Sequence, residues 1–266
     1  MADKSSNRKT ASKKNDMEKV AVEYIQDLQE KKMQALWTLA GGMAQDFNEI
    51  LVAIMGYVEM AQLDLPKGSP SRKNLAEAMN AINRAKDLIT DLLAYSRLGD
   101  QERKTQEIVT IVRKAIDNFK ATLPAAITIQ DRLPSYPIKV NSNAFQIRQI
   151  ITNLCTNASQ AMLEKGGKIE VALESFQLTS ETSPPDKLLV PGQYAKLTVR
   201  DSGCGIADSI ITRILDPYFT TAGGVSSAGM GLAVVSGIVH VCKGAIHIDS
   251  KLDSGTTVTI LLPQMN

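Results

Sequence analysis

Two asparagines and a glycine-rich segment are the features of this chain whose residue types and spacing could hold a polar ligand. Asn153 and Asn157 are four residues apart in a helical pattern, so both project from one helix face. Leu154 and Ala158 give that helix a buried side, which indicates that the asparagines line its margin. Residues 229–231 precede another helical pattern, whose first N–H groups can hold phosphate oxygens.

Four motifs in order along the chain are specific when they are taken together. The first is LAGGMAQDFNEIL at 39–51, and the second is NLCTNASQAM at 153–162. The third is DSGCGI at 201–206, and the fourth is DPYFTT at 216–221 with GMGLAVV at 229–235. Together they resemble the histidine kinases, in which a hairpin of helices precedes an ATPase domain of the GHKL class. The resemblance covers almost all of the chain from Ala35 to Pro263.

The resemblance implies a site for ATP or ADP in the C-terminal part. Asn157 would coordinate the Mg²⁺ that bridges the ATP phosphates, because an amide oxygen is the hard ligand that this ion prefers. Asp201 would accept a hydrogen bond from the adenine amino group, and a carboxylate that accepts without donating favours adenine over guanine. The other residues that the resemblance assigns to the nucleotide are Asn153, Gly203, Gly205, Phe219 (as an anchor of the lid), Thr221, Gly229, Gly231 and Leu232.

The family's phospho-acceptor histidine is replaced in this sequence. Gln45 stands at its position, beside Asp46, which matches the acidic residue that polarises the family's imidazole. A glutamine amide is not a nucleophile and cannot hold a transferable phosphoryl group. The two histidines of the sequence, His240 and His247, both lie in the predicted ATP-binding part. The resemblance therefore implies a histidine kinase-type protein in which histidine autophosphorylation is absent.

Further departures from the family lie near the acceptor and in the lid. Glu49 replaces an Asn or Thr that orients water in many relatives, Ala222 replaces a lysine, and Val225 and Ser227 replace glycines. Three interpretations stay open: a natural pseudokinase, which the several lid changes favour, an active kinase with one engineered His-to-Gln change, and a scaffold without nucleotide. Chaperone and topoisomerase ATPases share the ATP motifs but lack the hairpin segment.

The elements that must position these motifs begin with two long helical patterns. Apolar residues from Leu36 to Ala61 (Leu36, Ala40, Met43, Phe47, Ile50, Ile54, Tyr57 and Ala61) alternate steps of four and three, which is a heptad seam. A break at 66–70 separates this pattern from a second one between Leu75 and Leu93. The patterns predict an antiparallel hairpin, with Gln45 on its outer side. Because one hairpin buries little, we expect a homodimer with a four-helix bundle.

After residue 99 the pattern becomes mixed. Strands are predicted at 127–129, 138–140, 168–173 and 195–200, helices at 144–163 and 229–241, and an exposed loop at 179–192. The end, 245–250 and 256–262, predicts a β-hairpin. The fold class is therefore α+β, a helical hairpin forming a dimeric four-helix bundle and then an α/β sandwich of the GHKL type. The predicted divisions are a disordered basic tail at 1–16, the hairpin at 17–99 and the ATP-binding domain at 100–266.

Composition limits the remaining functions. The 266 residues are 44% hydrophobic and 22% charged, as in an ordinary globular protein. No apolar run reaches the roughly 18 residues that span a bilayer, and the basic tail lacks the aromatic residues of a nucleic-acid site. Three scattered cysteines predict neither a zinc site nor disulfides but reduced, buried thiols in the cytoplasm. The resemblance implies the receiver domain of a response regulator as a partner.

Overall fold

The computed structural model of the chain describes residues 46–96, 103–179, 189–217, 219–220 and 229–265. Two long helices come first: α1, helical over the described residues 46–63, and α2 (Pro70–Ser96). The later helices are α3 (Ile108–Lys120), α4 (Ala144–Gln160), α5 (Asp208–Ile211) and α6 (Gly231–Val241). The strands are β1 (Lys104–Glu107), β2 (Ile127–Arg132), β3 (Lys139–Ser142), β4 (Gly167–Leu178), β5 (Gly192–Asp201), β6 (Ala245–Lys251) and β7 (Gly255–Met265).

One arginine holds the turn between α1 and α2. The Nη1 group of Arg72 donates to the carbonyl oxygens of Gln62 at 2.7 Å and Leu65 at 2.9 Å. The last carbonyls of a helix have no partner within the helix, so Arg72 satisfies one such group at Gln62 as well as the carbonyl of Leu65, which follows the helix. Ser69 caps α2, because its Oγ accepts from the N–H of Arg72 at 3.2 Å. These hydrogen bonds give the turn between the two helices a defined geometry.

The two apolar rows of α1 differ in exposure. Leu51, Met55 and Val58 are half-buried. The seam residues Phe47, Ile50, Ile54 and Tyr57 are 49%, 54%, 41% and 70% exposed in the single chain, and Ala61 is exposed as well. Leu36, Ala40 and Met43 of the same seam lie outside the described residues. Among the described residues, the seam positions of α1 are thus uncovered in the single chain.

The strands form one sheet in the order β1-β3-β7-β5-β4-β2, and β6 also pairs with β7. On one side of β7, residues 257–263 pair with β5. On the other side, residues 255–261 pair with β6 and residues 264–265 with β3. β2 and β4 are parallel, whereas the other pairs are antiparallel. The centre of the sheet is therefore the C-terminal strand, which brings the β6–β7 turn next to the end of β5.

The main core lies between one face of this sheet and helices α3, α4 and α6. Along β4 and β5, alternate residues point to the core: Ile169, Val171, Leu173, Leu197 and Val199. The helices contribute further residues that are almost fully buried: Val112, Ile116, Ile150, Ile151, Val234 and Ile238. Each such side chain contributes roughly 1.5–3 kcal/mol of transfer free energy. This packing fixes the ends of β5, α4 and α6, where the predicted site residues lie.

The α+β class is confirmed, and the element boundaries differ in detail. The helix predicted at 144–163 ends at Gln160, and the strands extend beyond the predicted segments, so that Gly192 begins β5. β1 and α3 were not predicted. Among the helices in the described ranges, none has the length and apolar character that crossing a bilayer requires.

Candidate functional site

Asp201 ends β5 and is the buried carboxylate of the site, with an exposure of 8%. Its Oδ1 accepts two backbone hydrogen bonds, from the N–H of Gly203 at 2.8 Å and that of Thr256 at 3.2 Å. Burial raises the pKa of Asp201, and the two N–H groups partly offset this effect. Within the described part of the chain no donor reaches Oδ2, so this oxygen can accept a hydrogen bond from a bound molecule.

The loop that follows β5 requires glycine at two positions. Gly205 has a φ of 69°, and a Cβ there would overlap the carbonyl oxygen of Lys251. A Cβ at Gly203 would lie 2.7 Å from the Cβ of Ala161, which follows α4. The N–H of Cys204 donates to the carbonyl of Ala161 at 3.2 Å. The loop is therefore held between the end of α4 and the β6–β7 turn, with little room for any side chain at the glycines.

Two residues of the β6–β7 hairpin reach this loop, and the sequence interpretation missed both. Thr256 donates its N–H to Asp201, and its hydroxyl oxygen lies 2.9 Å from the Oγ of Ser250. The same Oγ accepts from the N–H of Ile206 at 2.8 Å. These contacts arise when the hairpin docks on the loop, so no sequence spacing reveals them. The nearest sequence signal is the turn that ends in Gly255, between the two predicted strands.

The two asparagines of α4 have different surroundings. Asn153 is 9% exposed, and its Nδ2 donates to the carbonyl oxygen of Gly231 at 3.2 Å. This bond ties α4 to the first residue of α6. Asn157 is half-buried one turn further along, and its Oδ1 and Nδ2 are the atoms nearest to a Cβ added at Gly231, at 3.6 and 3.7 Å. The amide of Asn157 therefore faces the start of α6 across the space that glycine leaves.

The side chains of this site could hold a magnesium ion only together with the phosphate groups of a ligand. The amide oxygen of Asn157 is a hard donor of the kind that Mg²⁺ accepts while it keeps waters and phosphate oxygens as its other ligands. Across the described residues, no three His, Cys, Asp or Glu side chains are grouped so that they could hold a metal ion themselves. The donor set suits a cation that arrives with phosphate.

The N-terminus of α6 suits an anion. In the described ranges no side chain caps this helix, whose N-cap residue is Met230, which is buried with 2% exposure. The first N–H groups of a helix lack partners within it, and the helix dipole favours negative charge there. Gly229 lies just before this end, and Leu232 is half-buried against the main core. Uncapped N–H groups opposite Asn157 form a candidate phosphate site.

Phe219 lies in the turn region that follows α5. The guanidinium of Arg213 lies 4.8 Å from the centre of its ring, a cation–π contact, and the N–H of Phe219 donates to the carbonyl of Asp216 at 3.2 Å. The residue is half-buried. These contacts hold Phe219 just before the segment in which the predicted lid lies.

Several residues that the sequence singled out lie outside the described residues: Gln45, Thr221, Ala222, Val225 and Ser227. Asp46 and Glu49 are both exposed on α1. The site therefore contains Asn153, Asn157, Asp201, Gly203, Gly205, Gly229, Gly231 and Leu232, with Phe219 at the approach to the lid.

The prediction that all three cysteines are buried is wrong for Cys204. Cys155 and Cys242 are buried, whereas Cys204 is exposed because the loop holds it by its backbone between two glycines. Burial raises the pKa of Cys155 to about 12. Burial also raises the pKa of Cys242, although the nearby charge of Arg103 opposes this shift.

Iodoacetamide at neutral pH is expected to alkylate Cys204 in the native protein and to spare Cys155 and Cys242. The thiolate is the reactive form, and the buried thiols are both inaccessible and harder to ionise. Peptide mass spectrometry reports the modified sites, and a sample in denaturant, where all three should react, is the control. Alkylation of Cys155 before Cys204 would contradict the arrangement.

Two family descriptions match separate parts of the chain. The description "His Kinase A (phospho-acceptor) domain" matches residues 37–101, and "Histidine kinase-, DNA gyrase B-, and HSP90-like ATPase" matches residues 142–266. The first range contains α1 and α2, and the second contains every residue of the candidate site.

Curated proteins with similar sequences include a sensor kinase and a sensor protein. The chain is 30% identical over 240 residues to the sensor kinase CckA of Brucella abortus (strain 2308), a match of 89% of this chain and 25% of that protein. It is 26% identical over 244 residues to the C4-dicarboxylate transport sensor protein DctB of Pseudomonas aeruginosa, a match of 89% and 37%. The chain thus spans well under half of the length of these relatives.

Solved structures share the fold. Full-length ShkA in complex with AMPPNP superposes with a TM-score of 0.63 at 19% identity, over 86% of this chain and 46% of that one. The histidine kinase AdeS of Acinetobacter baumannii gives 0.52 at 21% identity, over 81% and 96%. At these identities the likeness shows the fold alone.

Proposed function

We propose, from the premise that this chain has the core of the histidine kinase family, that it is a dimeric, ATP-binding two-component signalling protein. That core is a phospho-acceptor-type helical region followed by a histidine kinase-type ATPase domain. In this proposal the protein does not phosphorylate itself on histidine. The hairpin occupies residues 17–99 and the ATP-binding domain residues 100–266. The protein acts in the cytoplasm, where ATP is available, and its partner is the receiver domain of a response regulator.

The observation that supports nucleotide binding best is the environment of Asp201. Its Oδ1 is engaged by two backbone N–H groups, which fixes the carboxylate and leaves Oδ2 for a ligand. A buried carboxylate without a cation beside it is costly, and an amino group of a ligand would compensate by donating a hydrogen bond. Adenine has such a group. That AMPPNP binds the structural relative ShkA is consistent with this assignment.

Different residues of the site bind different parts of the nucleotide. Asp201 accepts from the base, and the glycine loop after it leaves space for a flat ring. The first N–H groups of α6 receive the phosphates, and Asn153 holds that end of the helix in place through Gly231. Asn157 offers its amide oxygen to Mg²⁺, which neutralises phosphate charge when it is bound. These roles need no group in the hairpin, so binding is independent of residue 45.

The absence of self-phosphorylation follows from chemistry at the acceptor. Gln45 supplies no nucleophile, and neither histidine lies in the hairpin, since both are in the range that matches the ATPase description. Glu49, exposed on α1, adds a negative charge near the same position. Such a charge would repel the aspartyl phosphate of a receiver domain, so phosphatase activity is also reduced. The hairpin acts as a docking element and no longer as a phosphate carrier.

Asp201→Asn is expected to weaken Mg-ADP binding by roughly 1–3 kcal/mol, about 5- to 150-fold, because an amide would present a donor where the base needs an acceptor. Isothermal titration calorimetry measures the affinities. Asp117→Asn, which removes a carboxylate that is 62% exposed on α3, is the matched control and should bind as the unaltered chain does. Equal affinity for unaltered chain and Asp201→Asn would refute the assignment, and absence of binding by both would support the scaffold interpretation.

A further inference from the structure

Ser250 is a polar residue that joins two sides of the Asp201 loop. It lies in β6, and its Oγ accepts from the N–H of Ile206 at 2.8 Å. The same oxygen lies 3.1 Å from the carbonyl oxygen of Gly255 and 2.9 Å from the Oγ1 of Thr256. Ile206 ends the loop after Asp201, and Thr256 donates its N–H to that carboxylate. One hydroxyl thus contacts both segments that surround Asp201.

The hydrogen-bonding capacity of this hydroxyl is fully used. A serine hydroxyl donates once and accepts twice. When it donates to the carbonyl of Gly255, it can accept from the N–H of Ile206 and from the hydroxyl of Thr256 at the same time. Thr256 then has a fixed orientation, and its N–H stays directed at the Oδ1 of Asp201. Ser250 is therefore connected to Asp201 through Thr256, although no hydrogen bond joins the two side chains directly among the described residues.

A second bond joins the same segments. The N–H of Asp253 in the β6–β7 turn donates to the carbonyl of Cys204 at 2.8 Å, so the backbone of the turn is hydrogen-bonded to the backbone of the loop. Backbone contacts of this kind fix the distance between loop and turn, and the side chain of Ser250 adds a link between Ile206 and Thr256.

We propose that Ser250 is a positioning residue for recognition of the nucleotide base: it acts through Ile206 and Thr256 to hold the Asp201 carboxylate and its loop in the geometry that accepts adenine. The inference rests on the proposed nucleotide-binding function. It extends that function from the groups that touch the base to the side chain that sets their positions.

The test compares Ser250→Ala with Ser254→Ala. Ser254 is exposed in the adjacent turn, and its Oγ contacts only the carbonyl of Leu252 at 3.4 Å among the contacts of the described residues, so it is a matched loss of one hydroxyl. Ser250→Ala is expected to weaken Mg-ADP binding about tenfold, whereas Ser254→Ala should leave it unchanged. Ser250→Thr, which keeps the hydroxyl, should recover most of the affinity.

Two further measurements separate positioning from a general loss of structure. Binding of Mg-tripolyphosphate, which has no base, should be the same in Ser250→Ala and in the unaltered chain. The losses from Ser250→Ala and Asp201→Asn should be non-additive in a double-mutant cycle, because both act on one recognition event. If Ser250→Ala does not fold, Ser250→Cys takes its place in the test. Because sulfur is a weaker acceptor, this variant should bind Mg-ADP more weakly than the unaltered chain does, by less than the tenfold expected for Ser250→Ala.

The outcomes discriminate between the two proposals. If the unaltered chain binds Mg-ADP and Ser250→Ala binds it equally well, the positioning role is wrong and the proposed function stands. An equal loss of Mg-ADP and Mg-tripolyphosphate affinity, or additive losses with Asp201→Asn, would also overturn the positioning role. If the unaltered chain does not bind Mg-ADP, the proposed function fails, and the inference that rests on it fails too.

Discussion

The unaltered chain, incubated with γ-labelled ATP, is expected to acquire no acid-labile, base-stable phosphate, whereas Gln45→His is expected to acquire it. The imidazole would provide the missing nucleophile, and Asp46, exposed on the first described turn of α1, remains beside it. The expected change is from background to a readily measured signal. Scintillation counting after separation under basic conditions measures the label, and Gln45→Asn, which adds no imidazole, is the control.

The size of the restored signal reports on the lid. Gln45→His alone should label strongly if residue 45 is the only obstacle. If the lid changes also matter, the single variant should label weakly and addition of Ala222→Lys should increase the signal. A lysine there would place positive charge where negative charge gathers during transfer, an effect that reaches a few kcal/mol in preorganised sites. Strong labelling of the unaltered chain, mapped to any histidine, would show that the interpretation of Gln45 is wrong.

Ile54→Glu is expected to convert the protein from a dimer to a monomer. Ile54 belongs to the exposed row of α1 with Phe47, Ile50 and Tyr57, which a second hairpin would cover. A glutamate in that seam would be buried without a partner, and an unpaired buried charge costs several kcal/mol. Light scattering coupled to size-exclusion chromatography gives the mass in solution.

Val52→Glu is the matched control for this substitution. Val52 is 61% exposed on the same helix but lies outside the seam row, so a charge there should leave the dimer intact. Both variants add one carboxylate to α1, which equalises their effect on net charge. A monomeric unaltered chain at high concentration, or a dimer that persists in Ile54→Glu, would contradict the assignment of the seam.

The C-terminal β-hairpin and the asparagine helix were predictable because local patterns determine them. Alternation along 245–250 and 256–262 specifies two strands, and the structure has them as β6 and β7. The four-residue spacing of Asn153 and Asn157 places both on one face of α4, near Gly231. These are consequences of helix and strand periodicity, which needs no knowledge of the rest of the chain.

The sequence pattern indicates β1 and α3 less clearly than the elements above. β1 consists of the polar residues 104–107 and is a strand only because it pairs with β3 at the edge of the sheet. α3 does have an apolar face, with Ile108, Val112 and Ile116 buried, and its cap by Glu107 uses a residue type that is less common at that position. That helix could have been predicted from its spacing, whereas β1 could not.

The candidate site itself was predicted only in part. Asp201 and its glycines lie within five residues of the sequence, but Ser250 and Thr256 come to them through the pairing of β7 with β5 and β6. The exposure of Cys204 likewise depends on how the loop docks against Ala161. Local sequence therefore predicts which segments form the site, and tertiary pairing decides which side chains complete it.

Titration of Mg-ADP into the unaltered chain tests the central claim most directly, because the claim is that the nucleotide site is intact although the acceptor is lost. Isothermal titration calorimetry is expected to show saturable binding of one ADP per chain, with no dependence on residue 45 when Gln45→His is titrated in parallel. Absence of saturable binding by a folded sample of the unaltered chain would contradict the account.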